Sequence, residues 1–332
     1  MKASVLTTIL CLCLSLRAGA QTTFPRCVVV EEFTGTHCGW CPRGLAGMMK
    51  LRQTFGDRCI GVAVHNYDTN DPMYYRPYAY AGVFSDGPGA PTCMIDRISF
   101  CDPLHGASGN ICDDVSYVLQ QPCYVGLELS GSYNADSTVV DAQATITAGT
   151  DLGQMTIVYV LVADSVYSAD QSFMQYNSYA ASPADRYPND PEVHRFCQGG
   201  TEGTSPFRWA FDDVCIGSSY NGAGQNQADA VPPLAQGEQA VNTLRLTMPT
   251  KAVLRRTVKK RLVSLVAMLI GEDGQVVNAA KTALVPTSDA QGVETMSIEQ
   301  GTMNKEVYDL QGRPASTRSS VIISKGHKRL VP

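Results

Sequence analysis

The chain has 332 residues, a formal net charge of −5, 44% hydrophobic residues and 12 cysteines. The length favours more than one hydrophobic core, because single cores stop growing near roughly 250–300 residues. The composition excludes wholesale disorder and a multi-span membrane protein, and the acidic balance argues against nucleic acid as a main partner.

The first twenty residues have the pattern of a secretory signal peptide. Lys2 supplies the positive start, residues 5–16 form a mostly apolar run, and residues 18–20 read Ala-Gly-Ala before Gln21. Cleavage at this point would leave ten of the twelve cysteines in an exported chain, in a compartment where disulfides persist. No later apolar stretch reaches the length of about eighteen residues that a transmembrane helix requires.

Strand-like and helix-like segments alternate in the next part of the chain, residues 21–121. Apolar runs and helical spacing predict, in chain order, strand 27–30, helix 41–55, strand 59–64, strand 92–95 and helix 108–120. Such alternation is typical of a small α/β sheet with parallel pairing.

The apolar pattern changes to a period of two over residues 122–285. It predicts short strands near 125–129, 140–146 and 244–248, and fuller apolar runs predict strands at 155–163 and 262–270. Gly, Asp and Asn between them indicate an antiparallel, immunoglobulin-like β-sandwich. A loop rich in Pro, Gly and Asp, residues 182–206, interrupts this part, and loops of that length are often functional or mobile.

The segment Cys38-Gly39-Trp40-Cys41 stands where a predicted strand meets a predicted helix. The N-terminal end of a helix stabilises a thiolate through its dipole and its unpaired N–H groups. On this interpretation Cys38 is the nucleophile, and Cys41 resolves the mixed disulfide. Two alternatives stay open. One is a metal site, although a second ligand pair is not evident, and the other is a structural disulfide, which would stabilise so short a loop only weakly.

Residues 27–121 resemble a thioredoxin-like domain. Glu32 stands six residues before Cys38, where thioredoxins bury an acid that relays protons, and Phe33 follows it as in that family. Ala90-Pro91 matches the cis-proline motif that faces the cysteine pair and precedes a strand. The resemblance implies Cys38, Cys41 and Glu32 as catalytic residues. It also implies a substrate groove shaped by Pro91, with Trp40 beside it.

Two histidines are candidates for tuning the thiolate of Cys38. His37 directly precedes this cysteine, where thioredoxins commonly have tryptophan. His65 follows a predicted strand at its C-terminal end, the edge where α/β sheets place ligands, although a polar strand-end residue is the simpler interpretation. Strand alternation puts Glu31 and Glu32 on opposite faces, which favours Glu32 as the proton carrier over solvent exposure of both.

The whole chain is similar to a narrower group, the secreted Gram-negative proteins known as the twenty-eight-kilodalton outer membrane protein family. Residues 31–35 and 38–44 carry the similarity, with His194-Arg195 in the later loop. That family joins a thioredoxin-like part to a β-rich domain. Residues 307–331 resemble the tail of proteins exported by type IX secretion, so residues 286–332 are interpreted as a linker and a sorting-like tail.

The eight other cysteines of the mature chain are interpreted as up to four structural bridges. Cys197 with Cys215 would staple the long loop of the β-rich part. Cys27 with Cys59 is a second candidate pair, because both start strands that are expected to be parallel neighbours.

These patterns support two hypotheses. The first is an exported thiol-disulfide oxidoreductase or isomerase, in the periplasm, outer membrane or cell surface of a Gram-negative bacterium. It would act on protein thiols or disulfides of the envelope, with no cofactor, metal or transmembrane span. The second is a non-enzymatic surface binding or adhesion protein, in which Cys38–Cys41 is a fixed disulfide. Fold alone does not separate the two hypotheses.

Overall fold

The structure, a computed structural model, describes residues 21–85, 87–284, 321–324 and 327–330. Its first helices and strands are β1 (Val28–Thr34), α1 (Pro42–Phe55), β2 (Cys59–His65), α2 (Arg76–Ala79), β3 (Thr92–Ile95), β4 (Phe100–Cys101) and α3 (Ile111–Leu119). Asn110 caps α3 by accepting a hydrogen bond from the N–H of Cys112 at 3.1 Å. The helix predicted from residue 108 therefore begins later, after this cap.

Strands β1 to β4 lie side by side. β1 pairs with β2 in parallel, and α1 supplies the crossover that parallel strands need. β3 runs antiparallel to β1 with Glu32 opposite Cys93, and β4 runs antiparallel to β3 with Cys93 opposite Cys101. The sequence pattern did not predict β4, because two residues are too few to show a period.

The later strands are β5 (Val125–Tyr133), β6 (Val139–Ala148), β7 (Thr156–Ala163), β8 (Val214–Ser218), β9 (Gln239–Thr247), β10 (Val263–Ile270) and β11 (Val276–Ala283). A short helix, α4 (Ala252–Thr257), separates β9 from β10. The period-two pattern predicted β5, β6 and β9, and continuous apolar runs predicted β7 and β10, but neither signal predicted β8 or β11.

One sheet crosses the domain boundary predicted at residue 121. Its eight described strands have the order β11-β10-β7-β8-β2-β1-β3-β4. β8 joins the two halves, because Val214 pairs in parallel with Ala63 of β2 while Cys215 pairs antiparallel with Val162 of β7. The described chain is thus mostly β, with a large mixed sheet and few helices. The division into two domains at residue 121 stays a prediction.

A second antiparallel sheet, β5-β6-β9, packs on the β7, β8 and β10 part of the large sheet. Side-chain alternation builds this packing, since Ile157 and Leu161 of β7 face the smaller sheet while Val158 and Val160 face the opposite core. Sheet-on-sheet packing is therefore present. An immunoglobulin-like connectivity stays a prediction, since the larger sheet continues into β2, β1, β3 and β4.

The contacts divide the chain into two units, Met1–Ala290 and Gln291–Pro332. In the second unit the structure describes an antiparallel hairpin of β12 (Val321–Ser324) and β13 (His327–Leu330). The predicted signal peptide and the rest of the predicted tail lie outside the described residues. Within the described ranges, no helix combines the length and the apolar character needed to cross a membrane.

Candidate functional site

Cys38 and Cys41 lie in the turn between β1 and α1 and form a disulfide, with Cα atoms 5.3 Å apart. Cys41 is the N-cap residue of α1, and Pro42 is the first residue of this helix. The N–H of Cys38 donates to the carbonyl oxygen of Gly35 at 3.1 Å, which closes the turn. The pair therefore stands at the N-terminal end of a helix of 14 residues, where the helix dipole favours a thiolate.

The Ala90–Pro91 peptide bond lies beside this pair and is cis, at the place where the sequence analysis expected it. The carbonyl oxygen of Ala90 is 3.6 Å from Sγ of Cys38. β3 begins directly afterwards, at Thr92. The loop that carries Pro91 thus contacts the predicted nucleophile, while a peptide groove at Pro91 stays a prediction.

Residues 175–179, the covering segment, lie against the cysteine turn. The N–H of Tyr176 donates to the carbonyl oxygen of Thr36, and the N–H of Ser178 donates to that of Gly39, both at 2.7 Å. This backbone pairing shields the turn from solvent. As a result Cys38 is 2% exposed and Cys41 is fully buried.

Gln175 fastens the covering segment to the turn. Nε2 of its buried side-chain amide, which has two hydrogens to donate, lies 3.2 Å from the carbonyl oxygens of Gly35 and Thr36 and 2.8 Å from that of Cys38. The backbone of Gln175 exchanges two hydrogen bonds of 2.9 Å with Phe207. These carbonyls belong to no helix or strand, and each also accepts a backbone N–H, so the amide adds to the hydrogen bonds of the turn.

Trp40 is the exposed side chain of the turn. It is 51% exposed, and its ring packs edge-on against Tyr179 with centroids 5.1 Å apart. A Cβ at Gly39 would lie 2.2 Å from Oγ of Ser178, so glycine permits the close approach of the covering segment. Trp40 is therefore a surface aromatic beside a buried disulfide, and its role in substrate binding stays a prediction.

Glu32 is buried beneath α1. A Cβ on Gly44 would lie 1.8 Å from Oε1 of Glu32, so this carboxyl group packs against the helix backbone three residues after Cys41. Burial raises the pKa of Glu32 to about 7, although the nearby His65 acts to lower it. Oε1 has no hydrogen-bond partner among the described residues. A carboxyl group with a pKa near neutrality is suited to proton transfer.

Glu31 has a different environment on the opposite face of β1. Arg97 donates two hydrogen bonds to its carboxylate, at 2.8 and 2.7 Å, and the hydroxyl of Tyr78 donates a third. Both glutamates are buried, so neither is solvated. The alternation expected from the sequence leaves Glu32 as the acid on the side of α1.

His65, at the end of β2, is buried and paired with an aspartate. Its Nδ1 lies 2.8 Å from Oδ2 of Asp71, and the same oxygen accepts the N–H of Thr36 at 2.7 Å. Burial acts to raise the pKa of Asp71, but His65 and the hydrogen bonds outweigh it and lower this pKa to about 2. Asp71 thus links His65 to the turn that holds Cys38. His65 and Glu32 also line a common cavity of about 170 Å³.

His37 is the more exposed of the two histidines. Its Nδ1 pairs with Oδ2 of Asp68, and its ring lies 5.1 Å from that of Tyr176 in the covering segment. Each of the two histidines therefore has an aspartate partner. His37 also contacts the covering segment, and His65 is linked to the cysteine turn through Asp71.

The predicted structural bridges are not formed, because the two members of each pair pack into different hydrophobic clusters. The eight other cysteines in the described residues are free thiols. Cys197 lies in the core between the two sheets, whereas Cys215 lies on the opposite face of the large sheet. Cys27 and Cys59 also pack into different cores. Among the residues that the structure describes, no cluster of three or more His, Cys, Asp or Glu side chains could hold a metal ion.

The sequence did not predict three residues that contact the cysteine turn or its histidines: Gln175, Ser178 and Asp71. The only available signal was the unusual loop composition, and the covering segment precedes the loop predicted at residues 182–206. Asp71 lies in a loop six residues after His65 and carries no motif of its own.

The chain matches no protein-family profile and no curated protein. It is similar in structure to HBP35 of Porphyromonas gingivalis, with a TM-score of 0.53 and 14% identity over 93% of this chain and 98% of that chain. A protein from Agrobacterium tumefaciens has a TM-score of 0.41 and 15% identity over 85% of this chain and 100% of that one.

A domain of the outer membrane lipoprotein Omp28 from Porphyromonas gingivalis has a TM-score of 0.26 and 10% identity, over 49% of this chain and 90% of that domain. The similarity to HBP35 shows a shared fold. The identity is too low to transfer an activity, and the other two similarities are too distant to support an argument.

Proposed function

We propose that the chain is a thiol-disulfide oxidoreductase or isomerase of the bacterial envelope, related to the twenty-eight-kilodalton outer membrane protein family. The observation that carries the proposal is the position of the Cys38–Cys41 disulfide. It lies at the start of α1, with the cis Ala90–Pro91 bond on one side and the buried Glu32 under the same helix.

The strand order near the pair supports a thioredoxin-like arrangement of residues 21–121. β1 and β2 are parallel and joined through α1, β3 is antiparallel to β1, and β4 completes the order β2-β1-β3-β4. The cis-proline loop leads into β3, as the family resemblance implies. The β-rich part adds the covering segment to this arrangement, and this segment sets which substrates reach Cys38.

The disulfide state in the structure is able to accept two electrons. A substrate thiolate attacks Sγ of Cys38, the bond to Cys41 breaks, and the sulfur of Cys41 leaves as a thiolate that takes a proton from Glu32. A second substrate thiolate then attacks the substrate sulfur of the mixed disulfide, and Cys38 leaves as a thiolate. The substrate gains a disulfide, and the reverse sequence reduces one.

Export is the second element of the proposal. The signal-peptide pattern of residues 1–20 supports it, and protein thiols and disulfides of the envelope are the substrates that this location would offer.

The burial of the pair favours a second candidate function. Cys38 is 2% exposed and Cys41 is fully buried, as a fixed structural disulfide in a non-enzymatic surface protein would be. In the first candidate function the covering segment moves aside so that a substrate reaches Cys38, whereas in the second it stays in place.

A redox titration tests the proposal. The mature chain is equilibrated in glutathione buffers, the thiols are trapped by alkylation, and the reduced fraction of the Cys38–Cys41 pair is measured by mass spectrometry. The enzyme should titrate in the range of about −270 to −120 mV that thiol-disulfide oxidoreductases cover. A pair that stays oxidised below about −300 mV, where structural disulfides lie, would overturn the proposed oxidoreductase function.

Disulfide reduction of insulin supplies the activity readout. Cys38→Ser should abolish turnover, and Cys41→Ser should trap a mixed disulfide with the substrate on Cys38. Cys27→Ser, at a half-buried thiol, is the matched control and should retain full activity.

A further inference from the structure

Two thiols other than the Cys38–Cys41 pair face each other across β3 and β4, and Cys93 of β3 also lies opposite Glu32 of β1. Cys93 and Cys101 are directly opposite in the antiparallel register, and their Sγ atoms lie 3.4 Å apart. Opposite residues of an antiparallel pair have Cα atoms about 4.5–5.5 Å apart, which falls within the range of roughly 4.4–6.8 Å that disulfides span. Side-chain rotation is therefore sufficient to close a bond between the two sulfurs.

The two thiols differ in how they can be reached. Cys93 is fully buried, whereas Cys101 is half-buried and lines a cavity of about 430 Å³ together with Ile95, Ile98 and Tyr117. A reagent that enters this cavity contacts Cys101. The sulfur of Cys93 lies 3.4 Å from that of Cys101.

The proton between the sulfurs is also shared unequally. The hydrogen bond with Cys93 lowers the pKa of Cys101, although burial acts to raise it. The same hydrogen bond, together with burial, raises the pKa of Cys93 well above its usual value. The accessible sulfur is thus the better thiolate, and the buried sulfur keeps its proton.

We infer that Cys93 and Cys101 form a second redox-active dithiol, which exchanges with low-molecular-weight disulfides through Cys101. The Cys101 thiolate attacks one sulfur of the incoming disulfide, whose other half leaves as a thiol with the proton that Cys101 lost. The sulfur of Cys93 then attacks Cys101 and gives up its proton, and the second half leaves as a thiol. The dithiol loses two electrons and two protons, and the incoming disulfide gains both.

The test uses the full mature chain and a Cys38→Ser/Cys41→Ser variant, so that its result is independent of the proposed function. Both proteins are incubated with oxidised glutathione, alkylated and digested with trypsin and chymotrypsin without reduction. The expected result in both is a peptide containing Cys93 joined to a peptide containing Cys101, with the loss of two alkylatable thiols. Excess reduced glutathione should reopen the bond.

Single substitutions in the Cys38→Ser/Cys41→Ser background assign the two roles. Cys93→Ala should accumulate a mixed disulfide of glutathione on Cys101, and Cys101→Ser should form neither the cross-link nor an adduct on Cys93. Cys215→Ala, at a buried thiol on another face of the sheet, is the control and should leave the cross-link unchanged.

The Cys93–Cys101 cross-link is measured in the mature chain and in the Cys38→Ser/Cys41→Ser variant. Misfolding of a single-substitution variant would therefore not affect that measurement. Absence of the Cys93–Cys101 cross-link from the folded mature chain would overturn the inference. A cross-link that excess reduced glutathione does not open would overturn it as well, because the bond would then be a fixed bridge.

Discussion

The side-chain amide of Gln175 donates a hydrogen bond to the carbonyl oxygen of Cys38 at 2.8 Å, across 137 residues of sequence. A residue of the β-rich part of the chain therefore contacts the cysteine turn directly. Any reaction at the disulfide has to proceed beneath the covering segment or after its displacement, since Cys38 is 2% exposed while the segment is in place.

Gln175→Ala should loosen this cover. The substitution removes the two N–H donors of the buried amide, while the turn carbonyls keep their backbone donors. At about 0.5–1.5 kcal/mol for each hydrogen bond, we expect a loss of about 1–3 kcal/mol in the free energy of unfolding. The Cys38–Cys41 disulfide should also be reduced faster by dithiothreitol, because the covering segment opens more often. Urea unfolding and stopped-time alkylation measure the two effects.

Gln227→Ala is the control for this substitution, because Gln227 is exposed and its amide bonds to the carbonyl oxygen of Gln225. It should change neither quantity. Unchanged reduction kinetics in Gln175→Ala would show that the covering segment does not limit access to the disulfide.

The sequence predicted the elements whose signals are local. β1, α1 and β3 were recognised from apolar runs and helical spacing, and Glu32 was assigned to the side of α1 by alternation. β8 was missed because five residues in the middle of a sheet show no period, and its strand partners were chosen by tertiary packing. The covering segment was missed for a related reason, since its contacts with the turn join distant parts of the chain.

The cysteine predictions show the same limit. Cys59 starts β2, but Cys27 precedes β1 instead of starting it, and the register places Val28 opposite Cys59. One residue of offset moves a side chain to the other face of the sheet, so the two thiols point apart. Register depends on packing across the whole sheet, and a single sequence did not show it.

Gly44→Ala should destabilise the protein when residue 32 is glutamate and stabilise it when residue 32 is alanine. Alanine favours a helix interior over glycine by about 1 kcal/mol, but here its Cβ would meet Oε1 of Glu32 at 1.8 Å. With Glu32 present we expect a net loss of about 1–3 kcal/mol from overpacking. In a Glu32→Ala background the same change should stabilise the protein. Urea unfolding of the four proteins measures the coupling, and a destabilisation of equal size in both backgrounds would contradict the packing of Glu32 against α1.

Asp71→Ala should be far more costly than Asp68→Ala. Each aspartate pairs with a histidine, but Asp71 and His65 are buried whereas Asp68 and His37 are partly exposed. Removing Asp71 leaves His65 and the N–H of Thr36 without their partner, which should lower the free energy of unfolding by about 3–5 kcal/mol. Asp68→Ala should produce a much smaller loss. Equal losses in the two variants, measured by urea unfolding at neutral pH, would contradict the structural role assigned to Asp71.

The pH dependence of stability should report the buried carboxyl of Glu32. Its pKa is raised from 4.5 to about 7 in the folded chain, so the folded state binds the proton more tightly than the unfolded state does. The contribution of protonated Glu32 to the free energy of unfolding is therefore fully present below pH 4.5 and is lost as the pH rises through 7. The loss should be on the order of 3 kcal/mol.

Glu32→Gln isolates this contribution, because glutamine cannot ionise. The difference in unfolding free energy between wild type and Glu32→Gln, measured from pH 4 to 8 with the Cys38–Cys41 disulfide intact, should fall by that amount across the interval. Asp96 titrates in the same interval, with a pKa raised to about 6 by burial, but it is present in both proteins and cancels. A difference that stays constant with pH would mean that Glu32 ionises at its ordinary pKa. Glu32 would then be charged at neutral pH and could not donate the proton that Cys41 requires when the disulfide opens.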